Sequence, residues 1–361
     1  MIKYIGSKRA LLPWIVDMVR EVAAAAPVRK VADVFSGSAR VGHALKGAGF
    51  HVTACDLNAY AVTVARALVE ADRAVYGPGV VAPILQRLAA LPPVDGYFTE
   101  VFCRQARFFQ PHNGMRIDAI RAGIDVEAGS DEVLRAALLY SLMRAADKVD
   151  STTGVHMAYL KDWAPRAYNP LELEYPPLLD GPGEALQADA NDFVRSSDAD
   201  LVYLDPPYNQ HSYLGNYHIW ETLVLNDQPE AYGVARKRVD CRERKSRYNL
   251  KREAPAALAE LIAGVSAPHV VCSFNNEGYF RPEDIEGLLA RERFVTRLTR
   301  EHRRYVGARI GIHNPQGEKV GKVSHTSNRE FLFVATTSAR VHEAMQRLAA
   351  GEGPVQESLF A

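Results

Sequence analysis

An apolar run, Asp200-Leu201-Val202-Tyr203-Leu204, stops against Asp205-Pro206-Pro207-Tyr208-Asn209. Proline has no N–H for a sheet ladder and locks its own φ, so two in succession end the strand in a rigid, extended turn. An Asp-Pro pair alone is an ordinary way to stop a strand. The full Asp-Pro-Pro-Tyr after a buried strand holds a carboxylate, a free carbonyl and an aromatic face together at the strand's end. Such a turn can seat a planar base: Asp205 accepts one hydrogen bond from an exocyclic amine, the Pro206 carbonyl accepts a second, and Tyr208 stacks on the ring.

The rest of the chain supplies the sheet for that turn. Lys30–Phe35 is a β-branched run ending in Ser36-Gly37-Ser38, and Ala39–Ala48 then places Val41, Ala44, Leu45 and Ala48 at helical spacing before Gly49. His51–Cys55 is a second strand, ending in Asp56-Leu57-Asn58, and a helix follows through Glu70. Further strands fall at His269–Phe274 and Glu330–Thr336. This alternation predicts an α/β, doubly wound, mainly parallel sheet with helices on both faces and its ligand at the carboxyl ends of the strands. Residues 72–183, Pro-punctuated and helical in period, notably over Asp131–Val149, read as a mostly helical inserted domain. Residues 209–256 read as a second, basic excursion. The core is then 1–71 with 184–345, and 346–361 is a tail.

With 361 residues and 47% hydrophobic content the chain can bury a core without disulfides or structural metal. Lys and Arg (43) balance Asp and Glu (43), so any nucleic-acid contact must rest on local basic patches. No apolar stretch approaches the roughly 20 residues that span a bilayer, and Met1–Arg9 lacks the apolar core of a secretion signal. A cytoplasmic, nucleoid-associated protein is expected. Cys55, Cys103, Cys241 and Cys272 are widely separated, with no paired spacing and no histidine at ligand distance in sequence, which argues against both disulfides and zinc.

Two further motifs carry chemistry. Gly37, in Asp33-Val34-Phe35-Ser36-Gly37-Ser38, lets backbone approach a ligand closely, and Asp56 at the end of the next strand is placed for two ribose hydroxyls. The same pattern suits nicotinamide or flavin cofactors, but residues 37–42 lack the complete G-x-G-x-x-G, which disfavours a pyrophosphate. At the N-terminus, Lys3-Tyr4-Ile5-Gly6-Ser7-Lys8-Arg9 opens a helix over Ala10–Glu21. A Gly-Ser turn beside lysine at a helix start is a seat for a carboxylate, or simply a first helix with Ser7 as its cap.

Together these motifs resemble the amino-methylating DNA methyltransferases, most closely the Dam-like, alpha-group adenine-N6 enzymes. The resemblance implies the S-adenosylmethionine-dependent methyltransferase fold and S-adenosyl-L-methionine as cofactor. It assigns Tyr4, Gly6, Ser7 and Lys8 to the methionine-binding motif, Asp33, Phe35, Ser36, Gly37 and Ser38 to the cofactor loop, and Asp56 with Leu57 to the ribose. Asp189 and Ala190 fall where the family contacts the cofactor adenine, with Asp192-Phe193 as a competing assignment. Asp205, Pro206, Pro207 and Tyr208 match the catalytic motif, and 72–183 sits where the group places its target-recognition domain. Asn113-Gly114-Met115-Arg116-Ile117-Asp118 and Ser273-Phe274-Asn275-Asn276-Glu277-Gly278 look like the subgroup of restriction-system modification enzymes.

The implied reaction is direct methyl transfer to adenine N6 after base flipping from duplex DNA, without a covalent enzyme intermediate. Cytosine-C5 chemistry needs a cysteine nucleophile, usually after proline, and no cysteine here follows proline. Cytosine-N4 methylation stays open as the alternative, and an inactive nucleotide-binding module as a second. For phosphate contact the sequence offers Arg236, Lys237, Arg242, Arg244, Lys245 and Arg247, and a basic hairpin with Arg297, Arg300, His302, Arg303, Arg304, Tyr305 and Arg309. Arg104, Arg107, Arg116 and Arg121 are further candidates, or the polar faces of ordinary helices. Tyr213 and Tyr217 are candidates to close over the base, with Trp220 in the core. The tail, Gln356-Glu357-Ser358-Leu359-Phe360, resembles the peptide by which replication and repair proteins dock on the sliding clamp. Double-stranded DNA, a cognate restriction enzyme and the clamp are the expected partners of a monomer.

Overall fold

The computed structural model describes residues 2–276, 278–303 and 327–351. Its centre is a seven-stranded sheet: β1 (Lys30–Asp33), β2 (His51–Asp56), β3 (Glu184–Gln187), β4 (Leu201–Leu204), β5 (His269–Asn275), β6 (Phe294–Arg303) and β7 (Ser327–Thr336). The spatial order is β3-β2-β1-β4-β5-β7-β6. The first five run parallel, and β7 is antiparallel to both β5 and β6. The expected mainly parallel, doubly wound sheet is therefore present. The sequence missed β3, whose buried residue is Ala185 alone, because a half-exposed edge strand gives no apolar run. Arg297 and Arg300, expected on a basic hairpin, lie on β6, which pairs antiparallel with β7; Arg297 pairs with Glu283, and Arg300 lies 5.0 Å over the Trp14 ring.

Strand periodicity divides the core into two layers. Along β4, Leu201 and Tyr203 face one side with Val31, Val52 and Val271, while Val202 and Leu204 face the other with Ala32, Val34 and Cys272. The first layer is covered by α1 (Leu12–Ala25), α2 (Arg40–Gly47) and α3 (Ala59–Ala65), and the second by α7 (Ala190–Ser196), α9 (Ala254–Gly264) and α10 (Pro282–Leu289). Three long helices of 72–183, α4 (Pro78–Ala90), α5 (Pro111–Ala128) and α6 (Glu132–Lys148), join α8 (His218–Leu225) and α11 (Ala339–Ala349) in extending the first layer. Asp131 caps α6, accepting from Val133 and Leu134 N–H at 3.0 and 2.9 Å. No helix among the described residues is long and apolar enough to cross a membrane.

Candidate active site

From β1 the chain winds outward to β2 and β3, then returns to the other side of β1 as β4. That reversal leaves a crevice at the carboxyl ends of β1 and β4, where Asp33 is in register with Tyr203. The crevice is a cavity of about 340 Å³. It is lined by each residue that the family resemblance assigned to the cofactor, from Tyr4 through Ala190, together with Asp205 and Pro207.

The β1 turn is built for close approach. Gly37 has φ +49°, and a Cβ there would lie 2.9 Å from the Tyr4 hydroxyl. Asp56 shapes the turn from beneath, accepting from the N–H of Gly37 at 3.0 Å and of Asn58 at 2.9 Å. Asp33 accepts from Gly42 N–H at 2.9 Å, and burial pushes its carboxyl up to about 7. Asp189 caps α7 through Asn191 N–H and lines the cavity, whereas Asp192 is 77% exposed and pairs with Arg195, and Phe193 belongs to the layer behind. Of the two candidate pairs, only Asp189 and Ala190 line the cavity.

At the other end stands the turn after β4. Lys8 Nζ lies 2.8 Å from Asp205 Oδ1, with Lys8 buried and Asp205 18% exposed. Burial lifts the Asp205 carboxyl above the ordinary range, and Lys8 pulls it back. The N-terminal lysine, read from sequence beside a carboxylate seat, thus meets the chain's own carboxylate. Ser7 does not cap a helix by its side chain: a 3-10 turn, Lys8–Leu11, precedes α1. Ser7 Oγ and Ser36 Oγ are instead buried at the cavity without a hydrogen-bond partner among the described residues. Pro206 is buried, and Tyr208, half-buried, is not among the residues lining the cavity; its hydroxyl accepts from Asn275 Nδ2 at 2.8 Å.

Of the two tyrosines offered for the base, only Tyr213 lines the cavity, stacked on Tyr4 at 5.4 Å. Tyr217 is fully buried, stacks on Tyr4 at 4.7 Å and accepts from Ile5 N–H, so closing over a base is excluded for it. Trp220 is core, as the sequence suggested.

Part of the basic excursion lies at the cavity. Arg244, Lys245 and Arg247 line the cavity, and the same segment brings Tyr248 and Asn249, which sequence reasoning overlooked. Tyr248 meets Phe35 edge-on at 5.2 Å and donates to Asn191 at 2.6 Å. Asn249 Nδ2 donates to the carbonyls of Asn209 and His211 at 2.8 and 3.0 Å, tying this wall to the turn after β4. Arg244 is engaged by buried Glu221 at 3.0 Å and Arg247 by Glu260 at 2.9 Å. Arg242 lies over the Tyr232 ring, while Arg236 sits in the turn and Lys237 in the second strand of a two-stranded hairpin, Ala231–Tyr232 with Lys237–Arg238, whose residues do not line the cavity. Arg304, Tyr305, Arg309 and Gln356–Phe360 lie outside the described residues.

In the insertion, Arg116 donates to the Ala89 carbonyl at 2.6 Å and Arg121 to Leu223 and Val224, closing the ends of α4 and α8. Arg104 pairs with Asp95, and Arg107 lies over Trp163. The Asn113–Asp118 motif is architectural: Asp118 collects the N–H groups of Gly96, Phe98 and Thr99, and a Cβ on Gly114 would collide with Cys103.

The cavity fits a nucleoside joined to an amino acid. It offers the carboxyl groups of Asp33, Asp56, Asp189 and Asp205, an aromatic wall of Phe35 and Tyr248, a glycine cradle and the unpartnered hydroxyls of Ser7 and Ser36. A family model for the D12 class N6 adenine-specific DNA methyltransferases matches residues 4–262. The modification methylase StsI of Streptococcus sanguinis is 31% identical over 301 residues, covering 80% of this chain and 46% of that protein. The type II methyltransferase M.NlaIII of Neisseria lactamica is 30% identical over 340 residues, covering 91% of this chain and 99% of that protein. The type II methyltransferase M.FokI of Planomicrobium okeanokoites is 34% identical over 187 residues, covering 50% and 29%. The chain thus spans less than half of the first of these relatives and nearly all of the second.

Proposed function

The chain belongs to the D12 class N6 adenine-specific DNA methyltransferases, and on that premise we propose that it methylates the N6 amino group of adenine in duplex DNA, with S-adenosyl-L-methionine as donor. The observation that carries this reading is that Asp205, ion-paired to Lys8, lines the same cavity as Asp56, Asp189 and the glycine cradle of Gly37. When bound, the cofactor supplies an electrophilic sulfonium methyl group. Asp56 and Asp189 are the residues to hold its ribose and adenine, with Ser7, Ser36 and the glycine cradle around them.

The target amine is a poor nucleophile because its lone pair is delocalised into the ring. Asp205 and the Pro206 carbonyl act as two fixed acceptors that draw its hydrogens aside and favour a pyramidal nitrogen. Lys8 keeps Asp205 ionised in a site where burial works against charge. Asp205 is then the nearest base for the proton that the amine sheds. To reach the turn the adenine leaves the stack, at a cost of a few kcal/mol that Tyr208 and pocket hydrogen bonds offset.

Target recognition is assigned to 72–183, phosphate contact to the exposed cations of 236–247, and a restriction-system role to the likeness with modification methylases. The deciding experiment is methyl transfer from labelled S-adenosylmethionine to unmethylated bacterial DNA, followed by nucleoside mass spectrometry. N6-methyladenine is the expected product; N4-methylcytosine would overturn the base assignment and keep the turn's chemistry. Clamp docking by Gln356–Phe360 is tested by pull-down with full-length chain against one ending at Gly353, equal retention ending that idea.

A further inference from the structure

Glu330 is a carboxylate for which the reaction above has no use. It lies buried on β7, directly opposite Asn275 at the last rung of the β5–β7 ladder, so the two side chains share one face of the sheet. Burying a carboxylate is expensive, and the two rungs of the same ladder that face the opposite layer, Cys272 with Phe333 and Phe274 with Phe331, are apolar. A polar rung is not needed to join these strands.

What lies beyond the rung is Tyr208. Asn275 Nδ2 donates to the Tyr208 hydroxyl at 2.8 Å, and Phe274 meets the Tyr208 ring at 5.7 Å. Tyr279 N–H donates to the Tyr208 carbonyl at 2.9 Å, and a Cβ on Gly278 would lie 2.9 Å from the Tyr208 Cβ. One stretch at the end of β5 therefore grips the backbone, the ring and the hydroxyl of the last residue of the catalytic turn. An amide has two N–H bonds, enough to serve an acceptor on Glu330 and the oxygen of Tyr208 together.

We propose that Glu330 and Asn275 are positioning residues that fix the plane of the Tyr208 ring at the target-base seat, Glu330 by orienting the Asn275 amide and Asn275 by holding the phenol oxygen. This rests on the reading that the turn receives a flipped base. It gives a role to the Ser273–Gly278 motif, which the reaction itself leaves unassigned.

The test is a double-mutant cycle on the full-length enzyme. Asn275→Ala and Tyr208→Phe each lower kcat roughly tenfold, with KM for S-adenosylmethionine within about twofold of wild type, and the double variant is no slower than either single one. Glu330→Ala follows Asn275→Ala, while Glu330→Gln, which keeps an acceptor oxygen, loses less than about threefold. With 2-aminopurine at the mapped target adenine, Asn275→Ala and Tyr208→Phe change the fluorescence of the bound duplex alike. Multiplying losses of roughly a hundredfold in the double variant, or unchanged fluorescence in Asn275→Ala, would overturn the proposal. Should Glu330→Ala fail to fold, the Asn275–Tyr208 cycle decides by itself. Absence of methyl transfer by the wild-type enzyme refutes the underlying reading instead.

Discussion

Nζ of Lys8 lies 2.8 Å from Oδ1 of Asp205, so the N-terminal turn and the catalytic turn meet in one buried ion pair. The other titratable groups around this carboxylate are Asp33, Tyr203, Tyr208, Tyr213, Cys272 and Glu330. Burial raises each of them, which keeps the phenols and the thiol neutral and leaves Lys8 as the one cation of the group. In the proposed reaction Asp205 works ionised, so kcat should fall as pH drops through its pKa. In Lys8→Met burial acts on Asp205 unopposed, and the acid limb of the kcat profile moves to higher pH, with activity recovering toward alkaline conditions. Lys8→Arg keeps the limb near its wild-type position. A higher KM for S-adenosylmethionine with an unmoved limb would mean that Lys8 seats the cofactor carboxylate and does nothing for Asp205.

Asp205→Ala separates chemistry from binding. Asp205 follows β4, while Asp56 and Asp189, assigned to the nucleoside, come from the ends of β2 and β3. Methyl transfer should be lost while cofactor affinity, measured by calorimetry, changes little. An active variant would remove Asp205 from the mechanism.

Gly37→Ala tests the cradle. An alanine at φ +49° costs about 1–2 kcal/mol, and its Cβ meets the Tyr4 hydroxyl at 2.9 Å. Tyr4 is itself stacked between Tyr213 and Tyr217 and has little room to retreat. S-adenosylmethionine affinity should drop by about tenfold or more. Affinity within twofold of wild type would show that the ligand does not approach this turn.

The strands that carry the site were legible because their ends are chemically abrupt: Val31 and Val34 run into Ser36-Gly37, and Leu204 runs into two prolines. The contacts between those ends were not legible. Nothing in sequence spacing joins Lys8 to Asp205 or Asn275 to Glu330, since register across a sheet is a tertiary property. The place of the basic excursion beside the cavity was hidden for a related reason. Charge density marks a surface segment, but Tyr248 and Asn249 within it are what pin it over the cavity, and an aromatic inside a charged run is the signal that was available. Arg116 and Arg121 show the converse, arginines consumed by helix ends that only the packing of α4 and α8 brings near.

Arg244 and Lys245 are neighbours with separate duties. Arg244 pairs with Glu221, whose carboxylate also holds the N–H groups of Ala59 and Tyr60 at 3.3 and 2.9 Å. Arg244→Glu sets two carboxylates together and should cost about 2–3 kcal/mol in thermal or urea unfolding, a figure lowered for the 33% exposure of Arg244. Lys245 is exposed, so Lys245→Glu should leave stability unchanged, weaken DNA binding, and reduce the dependence of log K on log salt by about one. Equal salt slopes for wild type and Lys245→Glu would take Lys245 off the DNA face.

Asp33 gives the fold a dependence on pH that is independent of catalysis. Its carboxyl, buried and raised from 3.8 to about 7, keeps its proton in the folded chain at pH values where the unfolded chain has lost it. Between those values the folded state binds more protons, so wild-type stability falls as pH rises through the window and levels off above it. In Asp33→Asn the amide has no such proton to lose, and its oxygen still accepts from Gly42 N–H. The stability of Asp33→Asn relative to wild type should therefore rise by about 2–3 kcal/mol between pH 5 and pH 8 in cofactor-free urea unfolding, since each pK unit is worth about 1.4 kcal/mol. A difference that stays constant across that range would mean that Asp33 is ionised in the folded protein, and that the Gly42 contact outweighs its burial.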